Sequence, residues 1–230
     1  MSSVSLENLD FNQQFETFSA KVNSFLDDSK SVVVSSSFQT QSLPLLHMIS
    51  KLDTKIPVAF IDTGFLFPET YIFRDRVAEE LKLHIINVSS NVEYGQQIDS
   101  SNRFLFSTAP EKCCNLNKVA SFNAFLKGFD VWISGVRADQ STTRSQMKET
   151  QKNSDGLLRY HPMLNWSSKD IFLYRKHNGL PSHPLEEQGY LSVGCIPCTQ
   201  KYIDSIGSER GGRWSGLKKD ECGLHTDLAK

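Results

Sequence analysis

The sequence predicts an α/β fold: a mostly parallel, twisted sheet with helices on both faces and a loop-rich, mobile C-terminal tail. Three observations predict it. Short apolar runs of strand length alternate with longer segments of helical periodicity, the pattern that parallel βαβ units require. The segments that follow three of the strand runs are polar where packing would want apolar side chains. From Leu180 onward glycine, proline and charge dominate, and both periodicities stop.

The elements follow in order. Between Gln13 and Leu26, the residues Phe15, Phe18, Val22, Phe25 and Leu26 recur at helical spacing, and "SVVVSSS" follows as a short buried strand. Leu43, Leu46, Ile49 and Leu52 mark the next helix, and "IPVAFI" the next strand. "PETYIFRDRVAEELKL" opens with proline and acids, as helix starts do, and "HIINV" is the strand after it. Beyond a looser section near 91–112, Leu116, Val119, Phe122 and Leu126 mark another helix before the strand "DVWISGV". "SSKDIFLYRKHNG" predicts a late helix with a serine cap and a terminating glycine. The expected organisation is one domain over residues 1–200 and a flexible tail over residues 201–230.

Composition narrows the function. The chain has 230 residues, 39% hydrophobic and 22% charged, enough for a core of its own. A formal net charge of -1 offers no general basic excess for nucleic acid, so anion recognition must be local. No basic start leads into an apolar run, and no stretch approaches the roughly 18 apolar residues of a membrane span. The sequence therefore predicts a cytoplasmic protein with neither a nucleic-acid nor a membrane partner. Five cysteines in a reducing compartment point to metal or redox chemistry rather than disulfides.

Ligands of open parallel sheets bind beyond the carboxyl ends of the strands. Three segments belong there: "SSSFQTQ" with Ser35, Ser36, Ser37 and Gln39, "DTGFLFPE" with Asp62, Thr63 and Gly64, and "GVRADQSTTR" with Arg137 and Arg144. They are expected to converge on one cleft. The serines and backbone N–H groups of the first segment suit an anion at the positive end of a helix, although they read equally as a serine-rich cap. The glycines and lysine of a Walker loop are missing. The two guanidinium forks match phosphate or sulfate oxygens.

The cysteines fall into an adjacent pair, Cys113 and Cys114, a "CIPC" pair, Cys195 and Cys198, and the lone Cys222. Four thiolates suit zinc or an iron-sulfur cluster, and the adjacency within the first pair tilts the balance to iron. Cys222 stands in "RGGRWSGLKKDECGLH", too polar and glycine-rich for a packed core, which points to a thiol kept for its reactivity. Over residues 201–219 the cations Lys201, Arg210, Arg213, Lys218 and Lys219 outnumber Asp204 and Glu209, a field that favours thiolate, with Asp220 and Glu221 opposing it at closer range.

Taken in order, "SSSFQTQ", "DTGFLFPETY", "GVRADQSTTR" and "ECGLH" resemble the assimilatory adenylyl-sulfate and phosphoadenylyl-sulfate reductases, a branch of the adenine nucleotide alpha-hydrolase (PP-loop) superfamily. The resemblance runs from about Val32 to His225. It implies that Cys222 is the nucleophile and that Cys113, Cys114, Cys195 and Cys198 hold a 4Fe-4S cluster. Lys118 then lies near cluster and substrate, Arg210 and Arg213 match the arginines before the terminal signature, and His225 of that signature joins the substrate-binding set. The implied reaction is reduction of adenosine 5'-phosphosulfate (APS) to sulfite and AMP through an S-sulfocysteine, with thioredoxin or glutaredoxin as reductant. The four cluster cysteines resemble members that use APS, whereas "SSSFQTQ" and "DTGFLFPETY" look closer to cluster-free members that prefer the 3'-phosphorylated nucleotide (PAPS). The cluster, a whole cofactor, carries more weight, with the PAPS reaction or dual use as the alternative. Self-association is left open.

Two other classes compete. An ATP-using PP-loop enzyme would carry an SGGxDS-like loop, which "SSSFQTQ" lacks. A redox-sensing metal-binding module would use Cys222 as its switch.

Overall fold

The structure is a computed structural model and describes residues 10–202, 212–213 and 223–224. A six-stranded sheet runs through it in the order β3-β2-β1-β4-β6-β5, with β1 at Val32–Ser35, β2 at Val58–Asp62, β3 at Ile85–Ser89, β4 at Val131–Ser134, β5 at Thr150–Lys152 and β6 at Leu158–Tyr160. All pairings are parallel except that of β5 with β6. The sequence shows the first four strands. The β5–β6 hairpin escapes it, because three residues are too few for a period and "TQK" is polar.

Side chains alternate across the central strands, as the pleat requires. Val32 and Val34, Val58 and Phe60, and Val131 and Ile133 face one core, while Val33, Ala59 and Trp132 face the other. The first core is closed by α1 (Phe11–Asp27), α2 (Leu43–Ser50), α3 (Pro68–Glu80) and α8 (Ser168–His177). Phe122 and Leu126 of α6 (Ala120–Leu126) cover the second. The ends of these helices obey the sequence. Asp10 accepts from the Asn12 and Gln13 amides at the start of α1, Ser167 and Asp170 form a reciprocal cap on α8, and Gly179 takes φ +62° just beyond α8.

The helix expected around 116–126 is present, beginning as a π-helical turn (Asn115–Val119) and continuing as α6, and it follows directly on α5 (Pro110–Cys114). The wider turn buries Asn117, whose side chain bonds to Gln97 and Ser90 in the preceding loop. There are also two one-turn α-helices, α4 (Leu105–Thr108) before α5 and α7 (Thr142–Ser145) after β4. Beyond Leu180 the described residues contain one short 3-10 turn, Ile196–Cys198, in keeping with the loop-rich end that the composition predicts. Among the described residues no helix is long and apolar enough to cross a membrane.

The strand order reverses between the parallel strands β1 and β4, since β2 and β3 build outward on one side and β6 on the other. That switch point, at the carboxyl ends of β1 and β4, is where an open α/β sheet leaves a crevice.

Candidate active site

A cleft of about 210 Å³ opens at that switch point. Ser35 lines it from the end of β1, Ser36, Ser37 and Gln39 from the loop after β1, Thr63 from the loop after β2, and Arg144 from α7 after β4. The loop after β1 is held by Phe38, which is fully buried, packs edge-on against Phe60 with centroids 5.8 Å apart, and takes φ +52°. A non-glycine residue in that region costs about 1–2 kcal/mol, and burial of the ring opposes the cost. The Phe38 amide donates to Ser36 Oγ at 3.0 Å. Gln39 then reaches across the cleft, its Oε1 accepting from the Val193 amide at 3.0 Å.

Charge at the cleft has one sign. Lys118, Arg144 and Arg213 line it, and no Asp or Glu does among the described lining residues. Arg213 reaches it because Gly194 has no side chain: a Cβ there would stand 2.5 Å from Arg213 Cζ and Nη1. Arg213 also donates through Nε to the Cys198 carbonyl at 3.2 Å and bridges Thr199.

Three of the expected site residues, Arg137, Asp62 and Gly64, stand apart from the cleft lining. Arg137, 1% exposed, is held by Asp139 at 3.0 Å, Gln41 at 3.0 Å and Ser168 at 2.8 Å, and it does not line the cleft. Its guanidinium ties the loop after β4 to the start of α8. Asp62 and Gly64 also stay out of the cleft lining. The Asp62 carboxylate accepts from the Gly64 amide at 2.9 Å and the Tyr71 hydroxyl at 2.7 Å, a turn in which Gly64 takes φ +74°. Cys222, Arg210 and His225 lie outside the described residues. The two residues after Cys222 are described: Leu224 lines the cleft, its carbonyl accepts from Arg159 at 3.5 Å, and a Cβ on Gly223 would meet Val119 at 3.0 Å. Gln140, Ser134, Gly194 and Leu224 line the cleft without having been singled out in the sequence. Gln140 and Ser134 carry a signal, as they sit at the same strand end as Arg144.

Beside the cleft is a smaller pocket of about 20 Å³ lined by all four paired cysteines together with Lys118 and Thr63. Cys113 and Cys114 end α5, and Cys195 and Cys198 bracket the 3-10 turn. All four are free thiols. The loop after β2 clasps the second pair: Thr63 Oγ1 is 3.1 Å from Cys195 Sγ, and the Ile196 amide donates to the Phe65 carbonyl at 2.7 Å. Burial pushes the Cys113 thiol up to about 11 against an opposing hydrogen bond from Asn117, and the other thiols push the same way. Burial also raises Cys198, with Cys195 and Cys114 adding and Arg213 and Lys118 opposing. No group of three or more His, Cys, Asp or Glu among the described residues sits in position for one metal ion.

Residues 31–201 match the family model described as phosphoadenosine phosphosulfate reductase domain. The chain belongs to the phosphoadenosine phosphosulfate reductase family. Within this family it is 34% identical to an adenosine 5'-phosphosulfate reductase of Salinibacter ruber over 94% of this chain and 87% of that protein. It is 37% identical to the enzyme of that name from Mycolicibacterium smegmatis over 81% and 79%. The phosphoadenylyl-sulfate reductase of Candida auris, solved as a phosphate complex, shares the fold with a TM-score of 0.63 at 23% identity, over 85% of this chain and 98% of that one. The sheet and most of the cleft lining therefore fall within the matched domain, and Arg213 and Leu224 join the cleft from beyond it.

Proposed function

We propose that this reductase converts APS to sulfite and AMP, with Cys222 as nucleophile. The chain is an oxidoreductase of assimilatory sulfate reduction that acts on the sulfur of a sulfate nucleotide. One observation carries the substrate reading: a strand-end cleft lined by Lys118, Arg144 and Arg213 with no described carboxylate. The reaction brings an anionic thiolate to an anionic sulfonate. Two like charges about 4 Å apart repel by about 4 kcal/mol at an effective dielectric near 20, so cations fixed around the sulfonate are required. Arg210 and His225 extend this set from the tail.

The Cys222 thiolate attacks the sulfonate sulfur, the bond from that sulfur to the phosphate oxygen breaks, and AMP leaves with the electron pair. A thiolate of thioredoxin or glutaredoxin then attacks Cys222 Sγ and displaces sulfite, and the second reductant thiol releases Cys222 as the reductant's disulfide closes. Leu224 in the cleft, two residues from Cys222, supports a tail over residues 201–230 that delivers the thiol inward and later outward to its protein reductant. The thioredoxin system and the free thiols are at home in the cytoplasm.

Cys113, Cys114, Cys195 and Cys198 fit a 4Fe-4S cluster. The donor set is four soft thiols around one pocket, whereas a lone zinc would need all four sulfurs about 2.3 Å from one point. When bound, the cluster would supply iron to which the four sulfurs bind as thiolates. Thr63, at 3.1 Å from Cys195 Sγ, and Lys118, which lines both pockets, connect the cysteine site to the substrate. The hydroxyls of Ser35, Ser36 and Ser37 along the same cleft favour PAPS as a second reading, since they suit an additional phosphate.

The test is sulfite formation by anaerobically purified protein with thioredoxin and each nucleotide, alongside iron and sulfide content. Higher kcat/KM with APS and four irons per chain are expected. A colourless protein that prefers PAPS would overturn both the substrate and the cofactor.

A further inference from the structure

Asn117 is a buried polar residue inside a helical segment, where asparagine is a poor helix former and an unpartnered amide is costly. It stands 2% exposed in the π-helical turn that follows Cys113 and Cys114. Its carboxamide pairs reciprocally with that of Gln97, donating through Nδ2 to Oε1 at 2.9 Å and accepting at Oδ1 from Nε2 at 2.6 Å. Oδ1 accepts again from Ser90 Oγ at 3.2 Å. Nδ2 also donates to the Cys113 carbonyl at 3.1 Å and lies 3.6 Å from Cys113 Sγ. A flipped amide would set Oδ1 against the Cys113 carbonyl, which can only accept, so that carbonyl fixes which face meets the sulfur.

We infer that Asn117, clamped by Gln97 and Ser90, is a positioning residue for the cofactor: it aims an N–H at the Cys113 sulfur and holds the π-helical turn that sets the Cys113–Cys114 pair. The inference rests on the cluster reading above. Outer hydrogen bonds to a ligating group orient it and strengthen its hold, and their loss lowers metal affinity by about 10- to 100-fold. Here the donor is carried by the ligand's own helix and anchored by residues that follow β3. Residue 117 lies four positions beyond residue 113, the spacing that puts two side chains on one helix face, and it lines the cysteine pocket.

The experiment compares anaerobically purified full-length wild type with Asn117→Asp, which keeps the shape and puts an acceptor toward the sulfur, and with Gln97→Ala, which removes the clamp and keeps the donor. Iron and sulfide per chain, the visible spectrum, and the rate of iron release to a chelator are measured, with circular dichroism as the folding control. Iron release is expected to be about 10-fold or more faster in Asn117→Asp and to rise less in Gln97→Ala, with a shifted thiolate-to-iron absorption in the first. Folded variants that match the wild-type spectrum and release iron within about twofold of its rate would overturn the inference and leave the cluster reading standing. Wild type without iron or sulfide would overturn the cluster reading and this inference with it.

Discussion

Gly194 is the position where one methyl group should separate folding from function. Its φ lies outside the left-handed region, so alanine fits the backbone, but the added Cβ would stand 2.5 Å from Arg213 Cζ and Nη1. The guanidinium is the mobile end of a long side chain, so it yields, and Gly194→Ala should fold normally while moving one of the three cations that line the cleft. A cation about 4 Å from a sulfonate or phosphate oxygen is worth up to about 4 kcal/mol at an effective dielectric near 20. The cleft is open to water and two cations remain, so a net loss of about 1.4–2.8 kcal/mol, or about 10- to 100-fold in kcat/KM, is expected. The assay is sulfite release from APS with thioredoxin for wild type, Gly194→Ala, Arg213→Met and the double variant. Since both single changes act by removing the same cation, the double variant should be no worse than Arg213→Met. Wild-type kcat/KM in Gly194→Ala, or losses that add in the double variant, would refute the reasoning.

Other consequences follow from groups that the cleft does not use. Arg137→Met should destabilise the fold by about 1–3 kcal/mol, because it removes the buried guanidinium that bonds Asp139, Gln41 and Ser168; a urea midpoint equal to that of wild type would contradict its structural role. His161, wholly buried and bonded through Nδ1 to Ser134 at 2.8 Å, is pushed down to about 4 by burial first, with Arg159 and Arg144 adding. The unfolded chain therefore takes up this proton near 6.5 and the folded chain only near 4. Stability from this group is complete above 6.5 and declines as pH falls toward 4, by about 1.4 kcal/mol per pH unit. Urea unfolding across that window should show a shallower pH dependence in His161→Gln than in wild type, and equal slopes would count against it.

The strands and helices that the sequence shows are those whose signals are local. Val32, Val33 and Val34 in succession announce a strand buried on both faces, and Ser167 with Asp170 announces the start of α8. The β5–β6 hairpin is held by pairing with β4, a partner some twenty-five residues away in sequence, so its three-residue strands carry no period of their own. Leu116, Val119, Phe122 and Leu126 fit a helix, and only the distant Gln97 reveals why the chain widens at Asn117. The site divides the same way. Three polar loops after strands were legible as one cleft because the fold class fixes where strand ends gather. Which arginine faces the cleft was not, since the Arg137 partners Gln41 and Ser168 come from two other segments. The "DTG" triplet reads as substrate contact, yet Asp62 and Gly64 spend their polar groups on each other. The four paired cysteines meet at one pocket across eighty residues of chain, as their count and spacing anticipate.

Mass spectrometry of the protein mixed with APS in the absence of any thiol reductant tests the central claim most directly. A gain of about 80 Da on the peptide that carries Cys222, released with sulfite on addition of thioredoxin, is the predicted result. An unmodified Cys222, with AMP nevertheless formed or with the adduct on another residue, would contradict the account.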